Sequence, residues 1–121
     1  PLKYTFIIEN YLQFCSMRKK MISNMLKESP DDPFLHFAMA KEHEKEEDWA
    51  SAVNSYRWIH SNKSDYVGMY YHLAAAMIEI GAPADEIKAV YEEGIKVATD
   101  QGDQHSKAEL QNAFMNWEME L

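Results

Sequence analysis

The chain has 121 residues, which is the usual length of one domain with a single core. Its 20 acidic residues outnumber its 12 lysines and arginines, and the net charge of -8 argues against nucleic acid and acidic membrane surfaces as partners. The single cysteine, Cys15, can form no internal disulfide, and every apolar run is shorter than the ~20 residues of a membrane-spanning helix. We therefore expect a cytoplasmic protein.

Helix signals dominate from about Ser16 onward. Ile22, Met25 and Leu26 recur at helical spacing in a first helix predicted over 16–29, which Pro30 closes. Residues 1–15 lack this pattern, because their Tyr, Thr, Phe and Ile content breaks the spacing. We expect them to be an N-terminal appendage that is either not native to the protein or folds over its binding groove.

Five more helices follow, each marked by residues that begin or end helices. Aspartates cap free N–H groups, proline suits the first helical position, and glycine favours the left-handed conformation that ends a helix. These signals predict helix starts at Asp32-Pro33, Asp48, Pro83 and Asp103, a turn at 62–65, and helix ends at Gly81 and Gly102.

The chain repeats its chemical pattern at an offset of 34 residues. A period of this length is typical of a helix-turn-helix repeat, in which each hairpin buries its apolar side against the next. Residues of the same type coincide at this offset: Phe37 with Tyr71, Met39 with Leu73, and Ala40 with Ala74.

The repeat resembles the tetratricopeptide repeat (TPR) family, as a small bacterial two-repeat member. The match lies in the first helices, His36, Met39, Ala40 and His43 and then Tyr70, Leu73, Ala74 and Met77, and in the second helices, Ala52, Tyr56 and Ile59 and then Ile87, Tyr91 and Gly94. The resemblance implies an all-α fold in which antiparallel helical hairpins stack as a short right-handed solenoid. It places repeats at about 32–65 and 66–100 and a closing helix at about 103–121, within a domain that spans 16–121.

The stretch "HFAMAKEHEKEEDW" has the composition of a metal site, but its spacing argues for packing. His36 and His43 lie ~10.5 Å apart along a helix, too far for one ion with ligands at ~2.1 Å. They also occupy the positions that Tyr70 and Met77 occupy one repeat later. The chain has no phosphate-binding loop and no nucleophile motif. We expect no metal, no cofactor and no catalysis.

The charged runs are interpreted as solvent-exposed helix surface. The acidic run at 42–48 has lysines on either side of Glu42, which is typical of a solvated face. The basic cluster at 18–20 is the only one in the chain, and the overall negative charge argues against a nucleic-acid contact.

A second apolar stripe lies opposite the packing stripe on the first helices. In the TPR family this side lines the concave surface, and contiguous exposed apolar surface commonly marks a partner site. We therefore predict a groove that binds a peptide or protein segment, with two lysines available to pair an acidic residue. The predicted groove residues are Phe34, Phe37, Lys41, Lys45, Tyr71, Ala75 and Ile78.

Self-assembly is the alternative function. Both ends of so short a stack expose hairpins without neighbours, so a second copy could fill the groove or an end face. Ile22, Met25 and Trp58 are the residues expected to mediate such head-to-tail contacts.

Overall fold

The computed structural model describes residues 2–121, with side chains from residue 4 onward. Within this part of the chain, no helix is both long enough and apolar enough to cross a membrane. The described helices are α1 (Leu2–Glu28), α2 (Pro33–Lys45), α3 (Trp49–Asn62), α4 (Gly68–Glu79), α5 (Ala84–Gln101) and α6 (Gln104–Met119).

Aspartates form N-caps at three of the predicted helix starts. The Asp32 carboxylate accepts a hydrogen bond from the Phe34 backbone N–H at 2.9 Å, and Asp48 and Asp103 cap α3 and α6 in the same way. At the C-terminal end of α5, Gly102 has a φ of 70°, the left-handed conformation that glycine adopts without strain. The predicted boundaries of α2 to α6 are therefore confirmed to within a few residues.

The first helix begins much earlier than predicted. The sequence indicates a start near Ser16, whereas α1 runs unbroken from Leu2 to Glu28, about 40 Å at 1.5 Å per residue. No proline or glycine interrupts this stretch, and β-branched or aromatic residues oppose a helix by less than about 0.7 kcal/mol each. That residues 1–15 act as an appendage stays a prediction, and residue 1 lies outside the described residues.

The six helices pack as successive antiparallel pairs. α2 pairs with α3 and α4 with α5, while α1 packs against α2 and α6 packs against both α4 and α5. Tyr56, Tyr70 and Tyr91 are buried at the centre of this stack, as the packing stripe predicts, and Trp49 and Trp117 are half-buried beside it. The core is therefore one continuous layer between the hairpins.

α4 and α5 approach each other very closely at Gly94 on α5. A Cβ added there would lie 2.6 Å from the Tyr70 Cβ and 3.2 Å from the Leu110 Cδ1. No real side chain tolerates the first distance, so α4 and α5 fit together here only because position 94 has no side chain.

α1 is held against α2 by ion pairs as well as by apolar contacts. The Glu42 side chain is only 2% exposed, and its Oε1 lies 3.3 Å from both the Arg18 Nη2 and the Lys45 Nζ. Lys19 pairs with Glu46 at 3.4 Å. A buried carboxylate is stable only when it is paired, so the two cations compensate its lost hydration. The interpretation of 42–48 as a wholly solvated face is therefore wrong at Glu42.

We predict that Gly94→Ala strongly destabilises the fold. The new methyl group collides with Tyr70, and overpacking of this kind costs about 1–3 kcal/mol in the free energy of unfolding. Gly68→Ala is the matched control, because the nearest atom to its added Cβ is 4.0 Å away. Urea denaturation monitored by circular dichroism measures both variants. Equal effects at the two positions would contradict the close approach at Gly94.

We also predict that Arg18→Ala lowers the free energy of unfolding by about 1–3 kcal/mol, because it leaves the buried Glu42 carboxylate with one cation instead of two. Lys20→Ala is the control, since the exposed Lys20 makes no ion pair within the described residues. Both variants are compared by urea denaturation of dilute protein. A Lys20→Ala effect as large as that of Arg18→Ala would show that Glu42 does not depend on its partner in α1.

Candidate functional site

The predicted groove residue Phe37 lies at the centre of an aromatic cluster that joins α2 to α4. Its ring contacts the His72 ring edge-on at 5.3 Å, the Tyr56 ring at 5.7 Å and the Tyr66 ring at 5.8 Å between centroids. Such edge-on and tilted contacts are the favoured geometry of aromatic pairs. Phe37 is half-buried, so it both supports the junction of the two hairpins and presents one side to solvent.

One turn before Phe37, the Phe34 side chain is 64% exposed. An open cavity of about 360 Å³ is lined by Phe37 together with Asp65, Tyr66, Val67 and Gly68. Gly68 is the first residue of α4, and its missing side chain leaves this space open. The N-terminal ends of α2 and α4 thus form an apolar surface with a shallow depression.

The α4 residues of the predicted groove continue this surface. Tyr71 is half-buried and contacts the His72 ring edge-on at 5.3 Å, so His72 lies between it and Phe37. Ala75 is half-buried one turn further along α4, and Ile78 is 37% exposed. We call Phe34, Phe37, Lys41, Tyr71, His72, Ala75 and Ile78 the α2–α4 groove.

The two predicted lysines lie in different places. The Lys41 Nζ pairs with Glu44 at 2.9 Å, and the Glu44 carboxylate lies 3.9 Å from the His72 Nδ1. Lys41 therefore lies with the aromatic residues. The Lys45 Nζ is held at Glu42, on the side of α2 that α1 covers. The structure does not bring Lys45 together with the other predicted residues.

His72 is the groove residue that the sequence analysis missed. Burial and then the positive charge of Lys41 lower its pKa, and these effects exceed the opposing attraction of Glu44 and Glu109. The imidazole is therefore neutral at neutral pH. Its position one residue after Tyr71 gives no sign of this role, because position 38, its counterpart at the 34-residue offset, is an alanine.

A buried hydroxyl group lies beneath the groove. The Tyr56 OH makes no hydrogen bond within the described residues, although the Glu44 carboxylate lies near it. Burial, and then this carboxylate, raise the pKa of Tyr56, so the phenol keeps its proton. The groove floor is thus largely uncharged, with Lys41 and Glu44 as an ion pair at its edge.

His36 and His43, the two histidines of the stretch 36–49, pack against neighbouring residues as predicted. His36 stacks on Trp58 with ring centroids 3.7 Å apart, and its Nε2 lies 2.7 Å from the Pro30 carbonyl oxygen. His43 is half-buried, and burial followed by the charge of Lys19 lowers its pKa. Within residues 2–121, no three His, Cys, Asp or Glu side chains are grouped so that they could hold a metal ion.

A second cavity, of about 370 Å³, lies between α3 and α5 on another side of the stack. The His60 Nε2 lies 2.7 Å from the Glu93 Oε2 at its edge, and the Tyr70 hydroxyl donates a hydrogen bond to the Ser64 carbonyl oxygen at 2.6 Å nearby. His60, Glu93 and Tyr70 thus satisfy one another at this edge, and the charged side chains of Arg57 and Glu86 also line the cavity.

Solved structures provide the clearest similarity to known proteins. The crystal structure of a tetratricopeptide repeat domain protein from Salinibacter ruber superposes with a TM-score of 0.67 at 34% sequence identity, covering 72% of this chain and 96% of that one. Its solution structure gives a TM-score of 0.66 over the same share of this chain. The solution structure of a Bordetella parapertussis protein gives 0.72 at 22% identity, covering 84% of this chain and 88% of that one.

No family model matches the chain, and no curated protein matches it. The Salinibacter similarity nevertheless combines one third sequence identity with coverage of nearly the whole of the other domain. The predicted all-α fold, a short right-handed solenoid of antiparallel helical hairpins, is confirmed. The solved structures that it resembles come from bacteria, and this chain belongs to the tetratricopeptide repeat family.

Proposed function

We propose that the chain is a non-catalytic binding module that holds an apolar peptide or protein segment in the α2–α4 groove. Its family is generally non-catalytic and consists of protein-interaction repeats. The observation that carries the proposal is the Phe34 side chain, which is 64% exposed one helical turn before Phe37, the α2 residue that lines the cavity. A large aromatic side chain left in water next to a depression is typical of a surface that a partner covers.

The groove supports a ligand with apolar side chains more than one with acidic groups. Lys41 is already paired with Glu44, and Lys45 is paired with Glu42 away from the groove. An acidic ligand would have to break the first pair and approach a chain of net charge -8. The proposed ligand is therefore a neutral or basic segment with an apolar anchor, and the acidic residue that the two lysines were expected to pair is left out of the proposal.

The scaffold favours such binding for an energetic reason. Phe37 and Tyr71 are held by ring contacts with His72, so a ligand would meet side chains that are already ordered. Preorganised side chains lower the entropic cost of association. We propose that the module acts in the cytoplasm, in keeping with its single cysteine and its acidic composition.

Phe34→Ala tests this function. Peptides are selected from a random phage-displayed library on the immobilised protein, and the Kd of a selected peptide is then measured by fluorescence anisotropy. Truncating an aromatic anchor costs about 2 kcal/mol, so we expect roughly thirtyfold weaker binding. Because Phe34 is mostly exposed, the melting temperature of the variant should stay close to that of the wild type.

Phe6→Ala is the matched control, since Phe6 is a phenylalanine of similar exposure, 66%, on α1. Its substitution should leave the Kd unchanged. The proposal would be abandoned if the two variants lost affinity equally, or if no peptide were selected above the background of uncoated beads.

The groove histidine makes stability depend on pH. The unfolded chain takes up the His72 proton as the pH falls through about 6.5, whereas the folded protein does so only at lower pH. The contribution of His72 is therefore complete above about pH 6.5 and is lost as the pH falls toward its folded pKa. The groups facing it are Lys41 and Glu44 on α2, Glu109 on α6 and the Tyr56 ring on α3.

We expect the free energy of unfolding to fall between about pH 7 and pH 5, and to fall less steeply in His72→Gln. His43, whose pKa is also lowered, should account for part of the remaining slope. Urea denaturation across this pH range is the measurement, and an unchanged slope in His72→Gln would show that this imidazole does not titrate as described.

A further inference from the structure

The first helix, α1, carries more exposed apolar surface than the largest apolar patch of a typical monomer. Ten large apolar side chains between residues 4 and 25 are at least half exposed. At roughly 100 Å² each they leave on the order of 1,000 Å² uncovered, whereas the largest apolar patch of a typical monomer is about 300–600 Å². A stable protein interface buries about 800 Å² on each partner. Eight of the ten lie on one stripe of the helix or next to it, and Phe6 and Leu12 lie away from it. At the same ~100 Å² each, these eight expose roughly 800 Å², which is the size that a stable dimer uses.

These side chains are arranged in a heptad pattern. We divide α1 into seven-residue units that begin at Tyr4. The first and fourth residues of these units form one stripe along the helix, and six of its seven side chains are apolar. We call this stripe the α1 seam: Tyr4, Ile7, Tyr11, Phe14, Arg18, Met21 and Met25. Every member is between 47% and 63% exposed. A 3.5-residue apolar period sustained over three heptads is the pattern of a helix that pairs with another helix.

The seam is separate from the face of α1 that packs on α2. The α2-facing side is marked by Cys15, which is buried, and by Ile22, which is half-buried. Both follow a seam residue by one position, which rotates them by about 100° around the helix axis. α1 thus packs on α2 mainly through one face, and Arg18 is the seam residue that also reaches α2, through its ion pair with Glu42.

We infer that the α1 seam binds the α1 seam of a second copy of this chain, as an antiparallel two-helix coiled coil. The inference is independent of the α2–α4 groove. It develops the self-assembly alternative, but moves the contact from the end faces to α1, because Trp58 is engaged with His36 and Ile22 lies on the α2-facing side. It also gives residues 1–15, treated as an appendage from sequence, a role as half of an interface.

The charge of Arg18 selects the antiparallel orientation. In a parallel pair, Arg18 of each copy would occupy the same layer, and two like charges would meet at the interface. In an antiparallel pair, the two helices run in opposite directions about a two-fold axis, which we place between Leu12 and Gln13. Arg18 then lies beside Ile7 of the second copy. The two arginines are then about 16 Å apart along the axis, beyond the Debye length of about 8 Å. Arg18 also remains paired with Glu42 of its own chain.

The central layers of this arrangement are aromatic. The same two-fold axis places Tyr11 beside Phe14 of the second copy, and Tyr4 beside Met21. Because the pair is symmetric, each of these contacts occurs twice. Aromatic residues at the middle of an interface contribute most to its stability. A charge introduced at Phe14 should therefore be the most damaging single change on the exposed surface of α1.

Light scattering coupled to size-exclusion chromatography tests the pairing over roughly 1 to 200 µM protein. We expect the wild type to reach twice its mass of 14.1 kDa. Phe14→Glu should raise the dimer Kd at least about 100-fold, because two carboxylates enter the interface. Phe6→Glu is the matched control: Phe6 is exposed on the same helix but off the seam, so this variant should dimerise like the wild type. Both variants should show a cooperative thermal unfolding transition, as the wild type does, which establishes that they are folded.

A wild type that stays monomeric throughout this range overturns the inference, as would be seen if another protein covered α1. Equal weakening by Phe14→Glu and Phe6→Glu overturns it as well. A nitroxide at Asn24, in a Cys15→Ser background, tests the orientation by pulsed electron resonance: about 35 Å between labels for the antiparallel pair, but about 10 Å for a parallel one. The Phe14→Glu monomer should still bind a groove-selected peptide, so failure of dimerisation and failure of the groove are distinguishable.

Discussion

The close approach of α4 and α5 at Gly94 is the contact on which the rest of the stack depends. Tyr70 lies directly against the backbone of α5 there, and Leu110 of α6 meets the same point, so three helices are positioned by one missing side chain. Ala40, on α2, is likewise completely buried. Small residues at these positions let the backbones approach, and the large aromatic residues around them then fill the remaining volume at the density of a protein interior.

The α2–α4 groove lies on the sides of α2 and α4 that make few of the contacts between helices. Most stacking contacts are made by one stripe, so Phe34 on the other stripe of α2 is left 64% exposed, whereas Tyr71 on α4 is half-buried and also packs against the core. Its floor is kept neutral, since burial holds His72 and Tyr56 in their uncharged forms. A surface of this kind suits apolar side chains, while the acidic exterior of the protein favours partners that are neutral or basic.

α1 combines two interfaces on one helix. Its C-terminal half docks on α2 through an ion-paired contact around the buried Glu42, and its seam remains exposed from one end to the other. Pairing of two such helices would join two grooves in one molecule. Linked binding sites raise the effective concentration for a second binding event, so a partner with two apolar segments would be held more tightly than either segment alone.

The sequence by itself determined the helices from α2 onward, the 34-residue repeat and the packing stripe, because capping aspartates, glycines and helical spacing are local signals. It also predicted that Phe34, Phe37 and Tyr71 lie away from the packing stripe, whereas in the structure Phe37 and Tyr71 pack against the core as well as facing solvent. Only the tertiary structure decided that Glu42 is buried, that Lys45 turns toward α1 and that His72 lies between Phe37 and Tyr71. Those facts depend on how helices distant in sequence cross, which no local pattern encodes. The length of α1 was not predicted, although the apolar spacing from Tyr4 to Met25 is itself a helix signal, because the Thr, Phe and Ile residues between these positions obscure that spacing.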